Sequence, residues 1–170
     1  MSGFDGAFAR LIGNEGGLSM DRNDSGNWTG SQIGAGTLKG SKYGISAASY
    51  PDIDIQNLTM DAAKAIYLQD YWLACACDKL ADPIAFLLFD MAVNSGQGNA
   101  IRALQKALGV VADGVLGDKS MAAIAAADPG YLYRSFNGAR LQFLTGMNDQ
   151  KWGSQGRGLV NRVAKNLMTP

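Results

Sequence analysis

The sequence contains no histidine among its 170 residues, and Glu15 is its only glutamate. Without histidine, Ser-His-Asp and Cys-His catalysis are excluded, and so are the usual zinc sites of peptidases and amidases. Any catalytic chemistry must therefore use Asp, Lys, Tyr, Ser, Cys or the single glutamate. This restriction disfavours a peptidase or an amidase.

Net charge and long apolar segments are also missing. The chain has 15 basic and 15 acidic residues, for a formal net charge of zero. A nucleic-acid-binding domain normally carries a basic patch or stripe, so we expect no nucleic-acid partner. The longest apolar runs, residues 84–89 and 121–127, fall well short of the roughly 20 residues that span a bilayer. We therefore expect no stable membrane insertion.

The two cysteines, Cys75 and Cys77, lie two positions apart on what the pattern predicts to be one helix. Side chains at this spacing point to different faces, so a disulfide between them has poor geometry. We interpret them as small buried residues of a reducing compartment.

Apolar residues recur at helical spacing along most of the chain, which predicts a mainly helical α+β globule. Residues 84–94 are apolar nearly all round and predict the central buried helix. Residues 18–40 are rich in Gly, Asn, Ser and Asp, and predict an irregular or β-hairpin insertion near the N-terminus, closed by a short strand at 42–46. The predicted helices cover residues 4–12, 59–72, 84–94, 101–108, 119–127, 129–144 and 159–167.

The sequence also predicts where several of these helices begin and end. We expect Thr59, Asp82 and Asp128 to cap helix starts, and Gly96 and Gly109 to end helices. The basic residues near the end of the chain are expected to form a solvated helix face; they are Arg157, Arg162 and Lys165.

Glu15 follows the first predicted helix, which we expect to end at Gly16 and Gly17. The negative end of a helix dipole raises the pKa of a carboxyl group, and partial burial in a cleft does the same. A carboxyl group that stays protonated near neutral pH can protonate a glycosidic oxygen. Position alone favours a solvated surface glutamate over a catalytic one.

Glycoside hydrolysis needs a second carboxyl group, and the glycine-rich segment offers Asp24 and Asp21. Either aspartate can lie opposite Glu15 across a cleft. The run from Asp21 to Gly26 also resembles the opening of a calcium-binding EF-hand loop. However, Gln32 occupies the twelfth position, where a bidentate carboxylate is needed, so we expect no metal and no cofactor.

Several short motifs resemble glycoside hydrolase family 108 in their order and spacing. In the first half these are Glu15-Gly16-Gly17, Asp24-Ser25-Gly26, Tyr43-Gly44-Ile45-Ser46 and the segment with Tyr67 and Tyr71-Trp72. The second half is similar to the peptidoglycan-binding region that accompanies that family, through Phe89-Asp90-Met91-Ala92-Val93-Asn94-Ser95-Gly96, Leu104-Gln105-Lys106-Ala107-Leu108-Gly109 and Asp113-Gly114. In the family pattern, the Tyr-Gly-Ile segment follows the aspartate motif almost directly, whereas in this sequence residues 27–39 lie between them.

The resemblance implies a lysozyme-like fold and a muramidase that cleaves the β-1,4 bond between N-acetylmuramic acid and N-acetylglucosamine. It implies Glu15 as the catalytic acid, and the Glu-to-Asp spacing, similar to that of phage lysozymes, favours Asp24 as its partner. On this basis we expect Tyr43, Ser46 and Asn94 to bind substrate. Residues 1–88 form the expected catalytic lobe and residues 89–170 the peptidoglycan-binding lobe, packed as one monomeric unit.

Members of the family include phage endolysins, and residues 1–5 show no signal-peptide pattern. We therefore expect synthesis in a bacterial cytoplasm, release through a holin-made lesion, and action in the periplasm or wall. The alternative interpretation is a wall-binding or phage structural module without hydrolytic activity.

Overall fold

A computed structural model describes residues 3–13, 17–147 and 152–168. The chain divides into two compact units. The small unit is Asp5–Gln69, and the large unit combines Met1–Phe4 with Asp70–Pro170. The lobe boundary expected after residue 88 concerns function and stays a prediction. None of the described helices is both long enough and apolar enough to cross a membrane.

Helix α1 spans Phe4–Ile12, in agreement with the apolar spacing. Gly13 follows with a φ of +58°, and its N–H donates to the carbonyl of Ala9 over 3.1 Å. Glycine in this left-handed conformation is a common helix terminator, because it has no Cβ to clash. The prediction that Gly16 and Gly17 end this helix is therefore wrong.

Helix α2 spans Met60–Tyr67 and begins at the predicted cap, Thr59. The Thr59 hydroxyl accepts a hydrogen bond from the backbone N–H three residues later, over 3.2 Å. This bond satisfies one of the amides that a helix start leaves unpaired. The chain then continues as a π-helical turn over Leu68–Leu73, so the predicted helix is present but changes its hydrogen-bonding pattern halfway.

A two-stranded antiparallel hairpin precedes α2 in the small unit. Strand β1, Ser41–Lys42, pairs with β2, Ile45–Ser46, in the register Ser41 to Ser46 and Lys42 to Ile45. Isolated bridges join Ser19 to Ser41 and Trp28 to Leu38. The predicted irregular region with a small hairpin is confirmed, and its two strands are each two residues long. The single strand predicted at residues 42–46 is wrong, because Tyr43 and Gly44 form the turn between the two strands.

The large unit holds most of the helices. In its described part these are α3 (Asp82–Ser95), α4 (Gln97–Leu108), α5 (Asp118–Ala126), α6 (Pro129–Thr145) and α7 (Arg157–Met168). Gly96 and Gly109 end α3 and α4 with φ values of +86° and +69°. Asp128 caps α6, and its carboxylate accepts the N–H of Tyr131 over 2.6 Å. These three stop and start signals are the predicted ones, whereas α3 is capped by Ala81 rather than by Asp82.

Helix α3 is the central helix of the large unit, as its composition predicts. Every residue from 84 to 92 is buried, and α3 packs against α4 and α6. Leu87, Leu88 and Phe89 are completely buried. Each such side chain contributes about 1.5–3 kcal/mol through burial, so α3 supplies much of the apolar core.

Three aromatic rings connect the first residues of the chain to this core. Phe4 packs edge-on against Trp72 and Phe89, at centroid distances of 5.7 and 5.9 Å. Trp72 and Phe89 are themselves 5.6 Å apart in an edge-on arrangement. Edge-to-face geometry at this distance is favourable because the ring edge is positive and the face negative.

Asp90 is a charged residue in the middle of the apolar helix α3, and it is completely buried. Its Oδ2 accepts a hydrogen bond from Nη2 of Arg140 on α6, and its Oδ1 accepts one from Nη1 of Arg162 on α7 over 2.8 Å. The Arg140 side chain is 5% exposed and that of Arg162 is 40% exposed. We call Asp90, Arg140 and Arg162 the buried ion cluster; it joins three helices.

Gln105 organises the turn between α4 and α5, and it is buried. Its Nε2 donates to Oδ1 of Asp113 over 2.7 Å, and its Oε1 accepts the N–H of Gly114 over 2.8 Å. The Gln105 hydrogen bond, with a second from the Val115 N–H, lowers the pKa of the Asp113 carboxyl group. The Asp113-Gly114 segment is thus a turn leading to a helix.

Cys75 and Cys77 are both buried free thiols, which confirms their interpretation as small core residues. They do not share one helix, because Ala76 between them has a φ of +50°. Burial raises the pKa of Cys75 to about 11 and raises that of Cys77 further. Both thiols are therefore protonated at neutral pH and are poor nucleophiles.

We predict that Asp90→Asn lowers the free energy of unfolding by about 3–5 kcal/mol, because two arginines lose their partner charge in a buried site. Urea unfolding followed by tryptophan fluorescence measures this loss. The matched control is Asp78→Asn, at an exposed position of the same unit, which we expect to change stability by less than about 0.5 kcal/mol. Equal stabilities for the two variants would contradict the proposed importance of the ion cluster.

Candidate active site

Asn27 organises the irregular segment that holds both candidate aspartates, and its side chain is completely buried. Its Nδ2 donates to the carbonyl of Asp21 over 2.9 Å. Its own carbonyl accepts the N–H groups of Lys39 and Gly40, each over 3.0 Å. The side chain and the backbone of Asn27 together therefore connect the start of the segment, at Asp21, with its end, at Lys39 and Gly40.

Asp24 lies at the start of a short 3-10 helix, Ser25–Asn27, and acts as its cap. Its Oδ1 accepts the N–H of Gly26 over 2.8 Å, and the residue is exposed. Asp21 makes a similar local bond, from its Oδ1 to the N–H of Asn23 over 2.9 Å, and is also exposed. Both carboxylates are therefore held by the backbone near them, and the choice of Asp24 over Asp21 stays a prediction.

Residues 27–39, which lie between the aspartate motif and the Tyr-Gly-Ile segment, form a compact loop. The loop folds back on itself, and the Thr29 N–H donates to the Thr37 carbonyl over 3.0 Å. Gly36 has a φ of +74°, and a Cβ there would meet the Thr29 hydroxyl at 2.3 Å. The Trp28 indole N–H donates to the carbonyl of Arg22 over 3.0 Å, which connects this loop to the segment that carries the aspartates.

Tyr43 and Gly44 form the two-residue turn of the hairpin, with φ values of +53° and +77°. Positive φ at both central positions defines a type I′ turn, which suits the twist of short hairpins. Tyrosine rarely adopts this conformation, since its Cβ crowds the backbone. The Tyr67 hydroxyl donates to the Tyr43 carbonyl over 3.2 Å, which helps to hold the turn on α2.

Ser46 is the last residue of β2, and it is half-buried. Its hydroxyl donates to the hydroxyl of Ser49 over 3.2 Å and accepts the N–H of Ser49 over 3.3 Å. These bonds fix the Ser46 side chain in the turn that follows the hairpin. Its predicted contact with substrate stays a prediction.

Glu15, the predicted acid, lies outside the described residues. Asn94, predicted to bind sugar, lies on α3 in the large unit. Its Nδ2 donates to the carbonyl of Asp90 over 2.6 Å and, more weakly, to the Asp90 carboxylate at 3.3 Å. The amide nitrogen is therefore committed to the ion cluster, so Asn94 would meet a ligand through its carbonyl oxygen.

No metal centre is found in the part of the chain that the structure describes. Within it, no group of three or more Cys, Asp or Glu side chains is close enough to hold a metal ion. In the Asp21-to-Gly26 run, which resembles an EF-hand opening, the carboxylates of Asp21 and Asp24 accept hydrogen bonds from nearby backbone N–H groups.

Sequence reasoning missed the roles of Asn27 and of the ion cluster. The sequence does carry a signal for the cluster, because a charged residue within an apolar helix must find an opposite charge. Arg162 was interpreted as part of a solvated basic face, which is wrong, since it binds Asp90. Asn27 gives no comparable signal, because asparagine is ordinary in a loop rich in glycine and serine.

The comparisons with known proteins cover nearly the whole chain. Residues 8–96 match the family model described as Glycosyl hydrolase 108, and residues 99–163 match the one described as Predicted Peptidoglycan domain. A solved structure described as SagA of Brucella abortus is similar, with a TM-score of 0.77 and 27% sequence identity. The alignment covers 96% of this chain and 90% of that one. A comparison with curated proteins found no match.

We predict that Gly44→Ala lowers the free energy of unfolding by about 1–3 kcal/mol, because alanine is strained at this φ. The added Cβ would also lie 2.3 Å from the Tyr67 hydroxyl oxygen. In a Tyr67→Phe background the same substitution should cost less, since that oxygen is gone. A double-mutant cycle by urea unfolding measures the difference, and strict additivity would contradict the steric part of the explanation.

We further predict that Asn27→Ala loosens the segment of residues 17–40 and costs about 1–3 kcal/mol, because the Asp21 carbonyl loses the Asn27 amide that donates to it. Hydrogen exchange at the Asp24 and Asn27 amides, which bond within the turn that begins at Asp21, should accelerate more than at the α4 amides. Asn23→Ala is the control, since the exposed Asn23 takes part through its backbone N–H. Unchanged exchange in Asn27→Ala would show that the side chain does not hold the segment.

Proposed function

Because the chain belongs to the glycosyl hydrolase 108 family, we propose that it is a muramidase that hydrolyses the β-1,4 bond between N-acetylmuramic acid and N-acetylglucosamine in bacterial peptidoglycan. The family supports a glycoside hydrolase that acts on peptidoglycan. The second matched region supports the same polymer as binding partner. The observation that carries the proposal is that the matched residues 8–96 contain the only glutamate of the chain.

In the proposed mechanism, protonated Glu15 donates a proton to the glycosidic oxygen as the bond breaks. Water then attacks the anomeric carbon, and a second carboxylate positions or deprotonates this water, or stabilises the oxocarbenium-like sugar while the proton returns to ionised Glu15. We assign that role to Asp24, whose carboxylate is exposed and fixed by its bond to the Gly26 N–H. Elimination supports this chemistry, because the chain has no histidine and its two thiols are buried and protonated.

We propose that Tyr43 and Ser46 line the substrate cleft in the small unit. The type I′ turn fixes the Tyr43 backbone and leaves its ring half-buried. Strain of this kind is often retained where a functional group has to be positioned. Asn94 would accept a hydrogen bond from a hydroxyl or amide group of the glycan.

The test of the acid is Glu15→Gln. We expect the rate of wall hydrolysis to fall by at least about 100-fold, because general-acid catalysis contributes about 10²–10⁴. Release of reducing ends and mass analysis of digested wall fragments show the rate and the bond that breaks. Circular dichroism confirms the fold. A Glu15→Gln protein that clears walls at the normal rate would overturn the assignment.

The second carboxylate is identified by comparing Asp24→Asn with Asp21→Asn. Asparagine keeps the Oδ1 acceptor in both places, so the local bonds to Gly26 and Asn23 can persist while the charge is removed. We expect Asp24→Asn to lower the rate by at least about tenfold and Asp21→Asn by less than about twofold. The reverse order would assign the role to Asp21.

The peptidoglycan-domain match over residues 99–163 also favours a second candidate function, a wall-binding module without hydrolytic activity. Wild-type protein that co-sediments with peptidoglycan, yet releases no reducing ends and no new fragments, would establish it. Fragments that carry cleaved amide bonds would instead indicate a peptidase or amidase.

A further inference from the structure

Tyr43 occupies the first position of the type I′ turn in the hairpin, with a φ of +53°. Glycine, asparagine and aspartate are the residues that favour this position. Tyrosine is unfavourable there because its Cβ crowds the backbone. Turn formation therefore does not explain the tyrosine, and an unfavourable backbone position of this kind calls for a role of the side chain itself.

Lys42, the last residue of β1, contacts the ring of Tyr43. Its Nζ lies 5.3 Å from the ring centroid, and both residues are half-buried. A cation at this distance over an aromatic face is attracted by the negative charge of that face. Consecutive side chains in an extended strand point to opposite faces, whereas the turn at Tyr43 brings its ring to the ammonium group of the preceding residue.

The ammonium group of Lys42 is itself fixed in place. Its Nζ donates a hydrogen bond to the carbonyl of Gln56 over 3.0 Å. Gln56 lies in a turn closed by Asp54, whose carboxylate accepts the backbone N–H of Asn57 over 3.3 Å and its side-chain amide over 2.8 Å. A lysine side chain is flexible when free, so this bond to the backbone is what allows Lys42 to restrict the Tyr43 ring.

Lys39 offers a comparison within the same small unit. Its Nζ also donates to a backbone carbonyl of the segment after the hairpin, that of Pro51, over 2.5 Å. The residue that follows it is Gly40, whereas Lys42 is followed by a tyrosine. The two lysines thus share the bond to the backbone, and the contact with the Tyr43 ring distinguishes Lys42.

We propose that Lys42 is a positioning residue, which holds the Tyr43 ring in the orientation that contacts an N-acetylhexosamine ring of the substrate. The proposal rests on the proposed function for the role of Tyr43 and for the class of ligand. It adds a residue that acts on binding through Tyr43 and does not touch the sugar. A ring that is ordered before the ligand arrives has less conformational entropy to lose on binding.

The experiment is titration of the full-length protein with the N-acetylglucosamine tetramer, followed by NMR in a Glu15→Gln background that prevents cleavage. The expected result is saturable shifts at Tyr43 and its neighbours. Tyr43→Asn should weaken binding at least about tenfold, and asparagine suits the type I′ turn, so a distorted turn does not explain the loss. Unchanged binding in Tyr43→Asn, or no shifts near Tyr43, would overturn the proposal.

Substitutions of the two lysines test the positioning role. Lys42→Met should weaken binding at least about threefold, while Lys39→Met should leave it unchanged. Lys42→Arg should restore most of the affinity, because a guanidinium group also binds an aromatic face. Equal effects of Lys42→Met and Lys39→Met would overturn the proposal.

A double-mutant cycle separates a positioning residue from one that binds the sugar directly. In a Tyr43→Asn background, Lys42→Met should cause no further loss of affinity, because the ring through which Lys42 acts is absent. Additive losses would show that Lys42 contacts the ligand on its own, which contradicts the proposal.

The contact is also measured without any substitution at Lys42, in case Lys42→Met does not fold. The ring current of Tyr43 should move the Cε protons of Lys42 upfield of those of Lys39, and Tyr43→Asn should abolish this difference. Coincident signals of the two lysines in the unsubstituted protein would overturn the proposal.

Kinetics on soluble peptidoglycan fragments provide the final readout. Lys42→Met should raise KM at least about threefold and change kcat by less than about twofold, because the contact with Tyr43 serves binding. A fall in kcat at constant KM would contradict the proposal. Wall cleavage by a protein whose Tyr43→Asn variant binds the tetramer normally would refute this proposal alone, whereas tetramer binding through Tyr43 without any cleavage would refute the proposed function alone.

Discussion

The large unit depends on the carboxylate of Asp90, which is completely buried on the central helix α3. Removing a charge from water is costly, and the cost is recovered only when opposite charges and hydrogen bonds surround it. Arg140 on α6 and Arg162 on α7 provide them, and the Asn94 amide, one turn away, donates to the same carboxylate over 3.3 Å. These requirements fix the order and rotation of three helices, because each partner must present one particular side chain to one oxygen.

Much of the fold could be predicted from the sequence, because local signals and the final structure agree. Thr59, Asp128, Gly96 and Gly109 start or stop helices where expected, and the lysozyme-like, mainly helical class is confirmed by the similarity to the solved structure. The predictions that failed concern positions where no strong local sequence signal determines the backbone conformation. Gly13 ended α1 before the glycine pair that looked more conspicuous, since any of several glycines can adopt the left-handed conformation.

The candidate site shows the same division. Composition led to Glu15, because it is the single glutamate in a chain without histidine. The support of the neighbouring segment by Asn27 was not predictable, since it arises from the Asp21 carbonyl and the Lys39 and Gly40 N–H groups, which are not its neighbours in sequence. Likewise the turn at Tyr43 combines a favoured hairpin geometry with an unfavourable residue. Sequence patterns indicate which side chains take part in chemistry. The structure that positions those side chains is determined by hydrogen bonds of the backbone.

The large unit is formed by two separate stretches of the chain, and this affects the order in which its contacts can form during synthesis. Phe4 belongs to it and packs against Trp72 and Phe89, although it leaves the ribosome long before they do. Since synthesis proceeds from the N-terminus, the small unit is fully translated while Phe4 still lacks both ring partners. Asp90 then emerges some fifty residues before Arg140 and seventy-two before Arg162. The nascent chain therefore carries an uncompensated acid in its most apolar helix until Arg140 and Arg162 have both been translated.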